Sequence, residues 1–113
     1  MSAITTHILD ISRGRPAAGV AVTLEARRGD SFADIGRGVT DDDGRLKTLL
    51  PADTRPEAGV YRLRFETGAY FETRGEAHFH PFVELSFTIE RPEEHYHVPL
   101  LLSPFGFSTY RGS

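Results

Sequence analysis

The sequence predicts an all-β chain, a two-sheet β-sandwich of seven to eight short strands with one short helix. Three observations predict it. Several stretches alternate apolar and polar residues with a period of two, as strands with one buried and one wet face do. Turn chemistry recurs between them, at Gly14-Arg15-Pro16, Asp41-Asp42-Asp43-Gly44, Pro51-Ala52-Asp53, Arg91-Pro92-Glu93 and Ser103-Pro104. Only Thr67–Arg74 loses the alternation. Short strands at this spacing build two packed sheets.

The elements follow in order. In the first strand Ile4 and Ile8 suit the core, which turns Thr5, His7 and Leu9 outward. In Val20–Ala26 the valines and Leu24 share one face while Thr23 and Glu25 take the other. Tyr61, Leu63 and Phe65 alternate with Arg62, Arg64 and Glu66. A short helix fits Thr67–Arg74. Val83, Leu85, Phe87 and Ile89 then alternate with Glu84, Ser86, Thr88 and Glu90. From His95 to Leu102 one row is Tyr96, Val98, Leu100 and Leu102, uniformly core-like. The other row is His95, His97, Pro99 and Leu101, which faces outward and suits contact with another subunit. After the Ser103-Pro104 turn, Ser108, Tyr110 and Gly112 share a row in the last strand.

Composition bounds the function. A length of 113 residues predicts one domain over 1–113. A formal charge of −3 argues against nucleic acid and against an anionic membrane surface as partners. With no cysteine there is neither a disulfide framework nor a thiolate nucleophile. No apolar run approaches the ~18–20 residues of a membrane-spanning helix. The first residues, Met1 to His7, show no secretory pattern, so the expected location is cytoplasmic.

The polar groups of the last nineteen residues go beyond what a core requires. The tail Tyr110-Arg111-Gly112-Ser113, with His95-Tyr96-His97-Val98-Pro99-Leu100-Leu101-Leu102-Ser103-Pro104 before it, closely resembles the 5-hydroxyisourate hydrolases. These are the enzymatic branch of the transthyretin-like family. The resemblance extends to Thr6-His7-Ile8-Leu9-Asp10, Gly14-Arg15-Pro16-Ala17, Asp43-Gly44-Arg45, Gly59-Val60-Tyr61-Arg62-Leu63 and Ala69-Tyr70-Phe71, and so covers nearly the whole chain. One departure is visible, His78-Phe79-His80-Pro81, where relatives often carry an aromatic residue.

The resemblance implies a prealbumin-like fold, a homotetramer built as a dimer of dimers with active sites at the subunit interface, and 5-hydroxyisourate as substrate. The implied reaction is hydrolysis of a cyclic amide of 5-hydroxyisourate to 2-oxo-4-hydroxy-4-carboxy-5-ureidoimidazoline, within urate degradation. It carries catalytic roles onto His7, Arg45, His97 and Ser113, and substrate binding onto His7, Arg45, Tyr110 and Arg111. The chemistry suits those residue types. A histidine titrates near neutrality and activates water. A guanidinium stabilises an oxyanion. A tyrosine hydroxyl donates to a ring heteroatom. Either His97 or His7 serves as the base.

Three rival readings are weaker. His95 with His97, or His78 with His80, has the spacing of zinc ligands, but no motif supplies a third ligand, so no metal and no cofactor are expected. Ser108 has no nucleophile elbow or recognisable base. A carrier that binds a small molecule in an inter-subunit channel shares the fold, but as a family expectation lacks the Tyr-Arg-Gly-Ser ending and paired histidines.

Overall fold

The computed structural model describes residues 2–113. Nine strands and one helix follow one another: β1 (Ile4–Asp10), β2 (Arg15–Pro16), β3 (Ala21–Arg28), β4 (Ser31–Val39), β5 (Arg45–Leu46), β6 (Gly59–Phe65), α1 (Thr67–Thr73), β7 (Val83–Ile89), β8 (Tyr96–Ser103) and β9 (Gly106–Thr109). Two of the nine, β2 and β5, are ladders of two residues each on the flank of β1.

One sheet runs β2-β1-β8-β9, with β5 also paired to β1; the other runs β4-β3-β6-β7. All pairings are antiparallel except that of β1 with β8, which is parallel and sets Ile4 beside Tyr96 and Thr5 beside His97. Between the sheets lies a single apolar cluster that includes Ile4, Ile8, Val22, Leu24, Leu63, Phe65, Leu85, Leu100 and Leu102. The alternation of β3, β6, β7 and β8 therefore points inward as predicted. Phe87 lies at the margin of that core, its ring 6.1 Å from that of Tyr61.

The outer face of the second sheet is not bare. Glu25, almost fully buried, accepts from Arg62 at both carboxylate oxygens, at 2.7 and 3.1 Å. Arg62 and Arg64 lie over the rings of Phe32 and Phe82, at 4.0 and 3.8 Å. Such bidentate, stacked guanidinium contacts order long side chains that would otherwise fan out into water.

Helix α1 is seven residues long and has no side-chain cap at its start, so packing holds it in place. Tyr70 and Phe71 bury its inner face, and the Tyr70 hydroxyl donates to Asp10 Oδ2 at 2.8 Å. Asp10 itself is fully buried at the end of β1, where its other oxygen accepts from Ser12 Oγ at 2.6 Å. Burial raises the Asp10 pKa, but the hydrogen bonds from Ser12, Tyr70 and the Arg13 amide outweigh it and hold the carboxyl below the usual range.

Candidate active site

The site grows from the outer face of the first sheet. In β1, Ile4 and Ile8 are buried in the core, so Thr5 and His7 share the opposite face. The parallel ladder places His97 of β8 beside Thr5, and the short antiparallel ladder places Arg45 of β5 opposite His7. Three strands thus bring together residues that are 38 to 92 positions apart in the sequence.

Local chemistry fixes Arg45. Asp41 Oδ1 accepts from the amides of Asp43 and Arg45, both at 2.9 Å, which winds the turn that delivers β5. The backbone hydrogen bond to Arg45 is also the main reason the Asp41 carboxyl sits below its usual pKa. Gly44 has φ +74°, and a Cβ there would run into the carbonyl oxygen of Ile8, so the turn admits no other side chain without strain. His7 is half-buried, and its Nε2 donates to the Asp43 carbonyl of this same turn at 2.8 Å.

His97 is held differently. Its Nδ1 is hydrogen-bonded to Thr5 Oγ1 at 2.8 Å, and the same hydroxyl is bonded to His95 Nε2 at 3.1 Å. The two rings are nearly parallel, inclined by 24° with centroids 6.4 Å apart. Burial pushes the His97 pKa down, and the charges of Arg45, His95 and His7 push it further the same way. A neutral imidazole at neutral pH is the result, and a neutral imidazole is a base.

A depression of about 180 Å³ opens here, lined by Thr5, Thr6, Arg45, Lys47, His95, His97 and the terminal Ser113. The tail reaches it because the Gly112 amide donates to the His97 carbonyl at 2.8 Å. A Cβ on Gly112 would lie 2.7 Å from His97 Cδ2, so the tail can pass this close only as glycine. Arg45 and Lys47 make the depression cationic.

Tyr110 and Arg111 lie elsewhere in the chain's fold. They fall between the last β8–β9 pair, Leu100 with Thr109, and the isolated bridge of His97 with Gly112. Pro99 has no N–H with which to continue the ladder, and Thr109 Oγ1 caps its carbonyl at 2.7 Å. Arg111 stacks on Tyr96, 4.1 Å above the ring, and its Nη2 donates to Glu94 at 3.0 Å. Both residues border a cleft of about 450 Å³ between β7 and β9. The single chain therefore gathers His7, Arg45, His97 and Ser113 and leaves Tyr110 and Arg111 apart.

Of the other histidines, His78 stacks on Phe71 at 5.8 Å and His80 packs edge-on to Phe79 and Phe107. Among the described residues no group of three or more His, Cys, Asp or Glu side chains is arranged to hold a metal ion. No helix among them is long and apolar enough to cross a membrane. Thr5 and Lys47 were not singled out from the sequence as site residues. Strand parity put Thr5 on the face of His7, but nothing local announces a hydroxyl shared by two histidines.

Two packed sheets, one carrying histidines and a guanidinium on its outer face, define a transthyretin-like β-sandwich protein. Comparison with known proteins agrees. The model of the HIUase/Transthyretin family matches residues 4–112. The protein named 5-hydroxyisourate hydrolase in Salmonella dublin is 46% identical over 110 residues, which is 97% of this chain and 80% of that protein. The solved 5-hydroxyisourate hydrolase of Klebsiella pneumoniae superposes with a TM-score of 0.82 at 40% identity, covering 97% of this chain and 98% of that one. Sea bream transthyretin in complex with thyroxine gives a TM-score of 0.88 at 37% identity, covering 97% and 94%. The chain belongs to the HIUase/Transthyretin family.

Proposed function

We propose that this protein hydrolyses 5-hydroxyisourate, as the Salmonella and Klebsiella relatives are named for doing, and that it serves urate degradation in the cytoplasm. The observation that carries the reading is a half-buried His97 beside Arg45 and His7 on one sheet face, where burial and Arg45 hold its pKa below the ordinary histidine value. His97 has its Nδ1 tied to Thr5, which leaves Nε2 for water. His7 already spends its Nε2 proton on the Asp43 carbonyl. Burial and the neighbouring Arg45 favour the neutral form of His97, which makes it the general base, and His7, anchored on the Asp43 carbonyl, orients substrate. The guanidinium of Arg45 stabilises the oxyanion that forms when water adds to the cyclic amide carbonyl. Ser113, which lines the same depression as Arg45 and His97, completes the catalytic set.

The same reading assigns Tyr110 and Arg111 to substrate binding from a neighbouring copy. The chain acts as one domain, and a homotetramer, a dimer of dimers, closes the open depression into a pocket at the subunit interface. Chemistry of this kind needs no cofactor. The experiment is direct: purified protein is added to freshly made 5-hydroxyisourate and the ultraviolet absorbance is followed against spontaneous decay. Decay no faster with protein than without it, from pH 6 to 8, would end the proposal.

A second reading has one observation in its favour, the TM-score of 0.88 to a transthyretin that holds thyroxine. A fold hosts more than one function, and a carrier needs no base. Saturable thyroxine binding by a protein that leaves 5-hydroxyisourate untouched would favour it.

A further inference from the structure

Thr5 Oγ1 lies between two imidazoles and is 3% exposed, so no bulk water competes for it. A hydroxyl carries one proton and two lone pairs. If Thr5 accepted from both rings, its own proton would be buried with no other acceptor among the described contacts, at the cost of an unmade hydrogen bond. Two arrangements remain, in which it donates to one ring and accepts from the other. In the first, His97 Nδ1–H donates to Thr5 and Thr5 donates to His95 Nε2. In the second, both donations run the other way. Only the first leaves a lone pair on His97 Nε2, the ring nitrogen not engaged with Thr5.

We infer that Thr5 is a positioning residue that fixes His97 with its proton on Nδ1 and relays a proton to the exposed ring of His95. The inference rests on the hydrolase reading above. Its need follows from the balance of the reaction. Water adds its oxygen to the carbonyl carbon and the bond from carbon to ring nitrogen breaks. One of water's protons goes to that nitrogen. The other is left over, because the carboxylic acid formed ionises at neutral pH. His97 takes a proton at Nε2, passes its Nδ1 proton to Thr5, and Thr5 passes its own to His95 Nε2. His97 ends neutral and His95 ends cationic.

The direction follows from the surroundings. An imidazolium on His97 is half-buried and lies near Arg45, Lys47 and His7, all of which oppose its charge. The ring of His95 is exposed, and solvent both stabilises its charge and removes the proton. The relay also gives His95 a role that strand parity alone could not.

Three variants test this: Thr5→Val, which keeps the shape and removes the hydroxyl, Thr5→Ser, which restores it, and His95→Gln, whose carbonyl accepts from Thr5 but cannot carry the proton away. Nitrogen-15 spectra of the imidazoles, recorded without substrate, should show His97 protonated at Nδ1 in the wild type, in Thr5→Ser and in His95→Gln, but shifted toward Nε2–H in Thr5→Val. Turnover should fall roughly 10–100-fold in Thr5→Val, with KM little changed and Thr5→Ser close to wild type, as when the partner that orients a histidine is lost. His95→Gln should lose turnover while keeping the His97 tautomer. A wild-type His97 protonated at Nε2, or a folded Thr5→Val at the full rate, would overturn the inference; His95→Gln at the full rate would overturn the relay. A wild type that opens no 5-hydroxyisourate would sink the hydrolase reading alone, since the spectra decide the coupling with no substrate present.

Discussion

Replacing Gly112 by alanine perturbs the site through a single methyl group. Gly112 has no positive φ, so its backbone accepts alanine without strain. The obstacle is space: the new Cβ would meet His97 Cδ2 at 2.7 Å and Pro99 Cγ at 3.3 Å. Ordinary carbon contacts lie at about 3.5–4.0 Å, so the His97 ring or the tail must retreat by about 1 Å. Pro99 blocks one escape, and the Gly112 amide bond to the His97 carbonyl resists another. A misplacement of about 1 Å in a reacting group costs on the order of 10²-fold in rate, which is about 2.7 kcal/mol of barrier. Stability should change little, because the tail is mostly exposed and touches the core only at its edge. The assay is kcat and KM on fresh 5-hydroxyisourate beside a thermal melt. A folded Gly112→Ala variant with kcat within about threefold of wild type would show that the position of His97 does not govern the reaction.

Other expectations follow from the same geometry. His97→Asn and His7→Asn should keep the fold and lose turnover, by ~10²–10⁴-fold where proton transfer is removed, and both retaining full activity would take histidine out of the mechanism. Because burial and Arg45 depress the His97 pKa, the acid limb of kcat/KM should lie below the ordinary histidine value of 6.5, and Arg45→Gln should move it up as well as slow the reaction. Asp10→Asn should cost about 1.5–3 kcal/mol in urea melts at pH 7. The folded pKa of Asp10 is depressed, so this contribution is present above the ordinary 3.8 and is lost as pH falls through the folded value; the difference from wild type should shrink on acidification. Deleting Tyr110–Ser113 should abolish turnover while leaving a cooperative melt, since the core cluster contains none of these residues. Exhaustive chelation should leave activity unchanged, and loss restored by zinc would promote His95 and His97 to ligand candidates.

How much of this was legible in the sequence depended on whether a residue's environment is local. The buried rows of β6 and β7 were plain, because each strand has one apolar and one polar face and period two separates them. β4 was not named, although it is nine residues long. It is an edge strand with neither face fully buried, and a Cβ on Gly36 would strike the Leu49 carbonyl and one on Gly38 the Leu46 side chain at the end of β5. The segment that covers the strand, not the strand's own period, selects glycine. The site divides in the same way. Parity placed His7 and His97 on an outward face and grouped His95 with them. The hydroxyl between the two β8-side rings comes from β1, and the polar anchor of α1 is a carboxylate that reads locally as part of a turn. Arg111 stacks on Tyr96, a packing choice to which period two is blind.

The parallel pairing of β1 with β8 bears on how the molecule comes into being. Thr5 and His97 are 92 positions apart, and closing a loop of that length costs about 4 kcal/mol of chain entropy before any contact repays it. The sheet β4-β3-β6-β7 is assembled within residues 21–89 from antiparallel neighbours, so it can consolidate without either end. Non-local pairings form slowly. During refolding, a species with that sheet in place would already have strand circular dichroism and a partly dry core, yet no juxtaposed imidazoles. Regain of hydrolysis would then lag behind regain of the optical signal, and the lag would clock the arrival of residues 4–10 at residues 96–103.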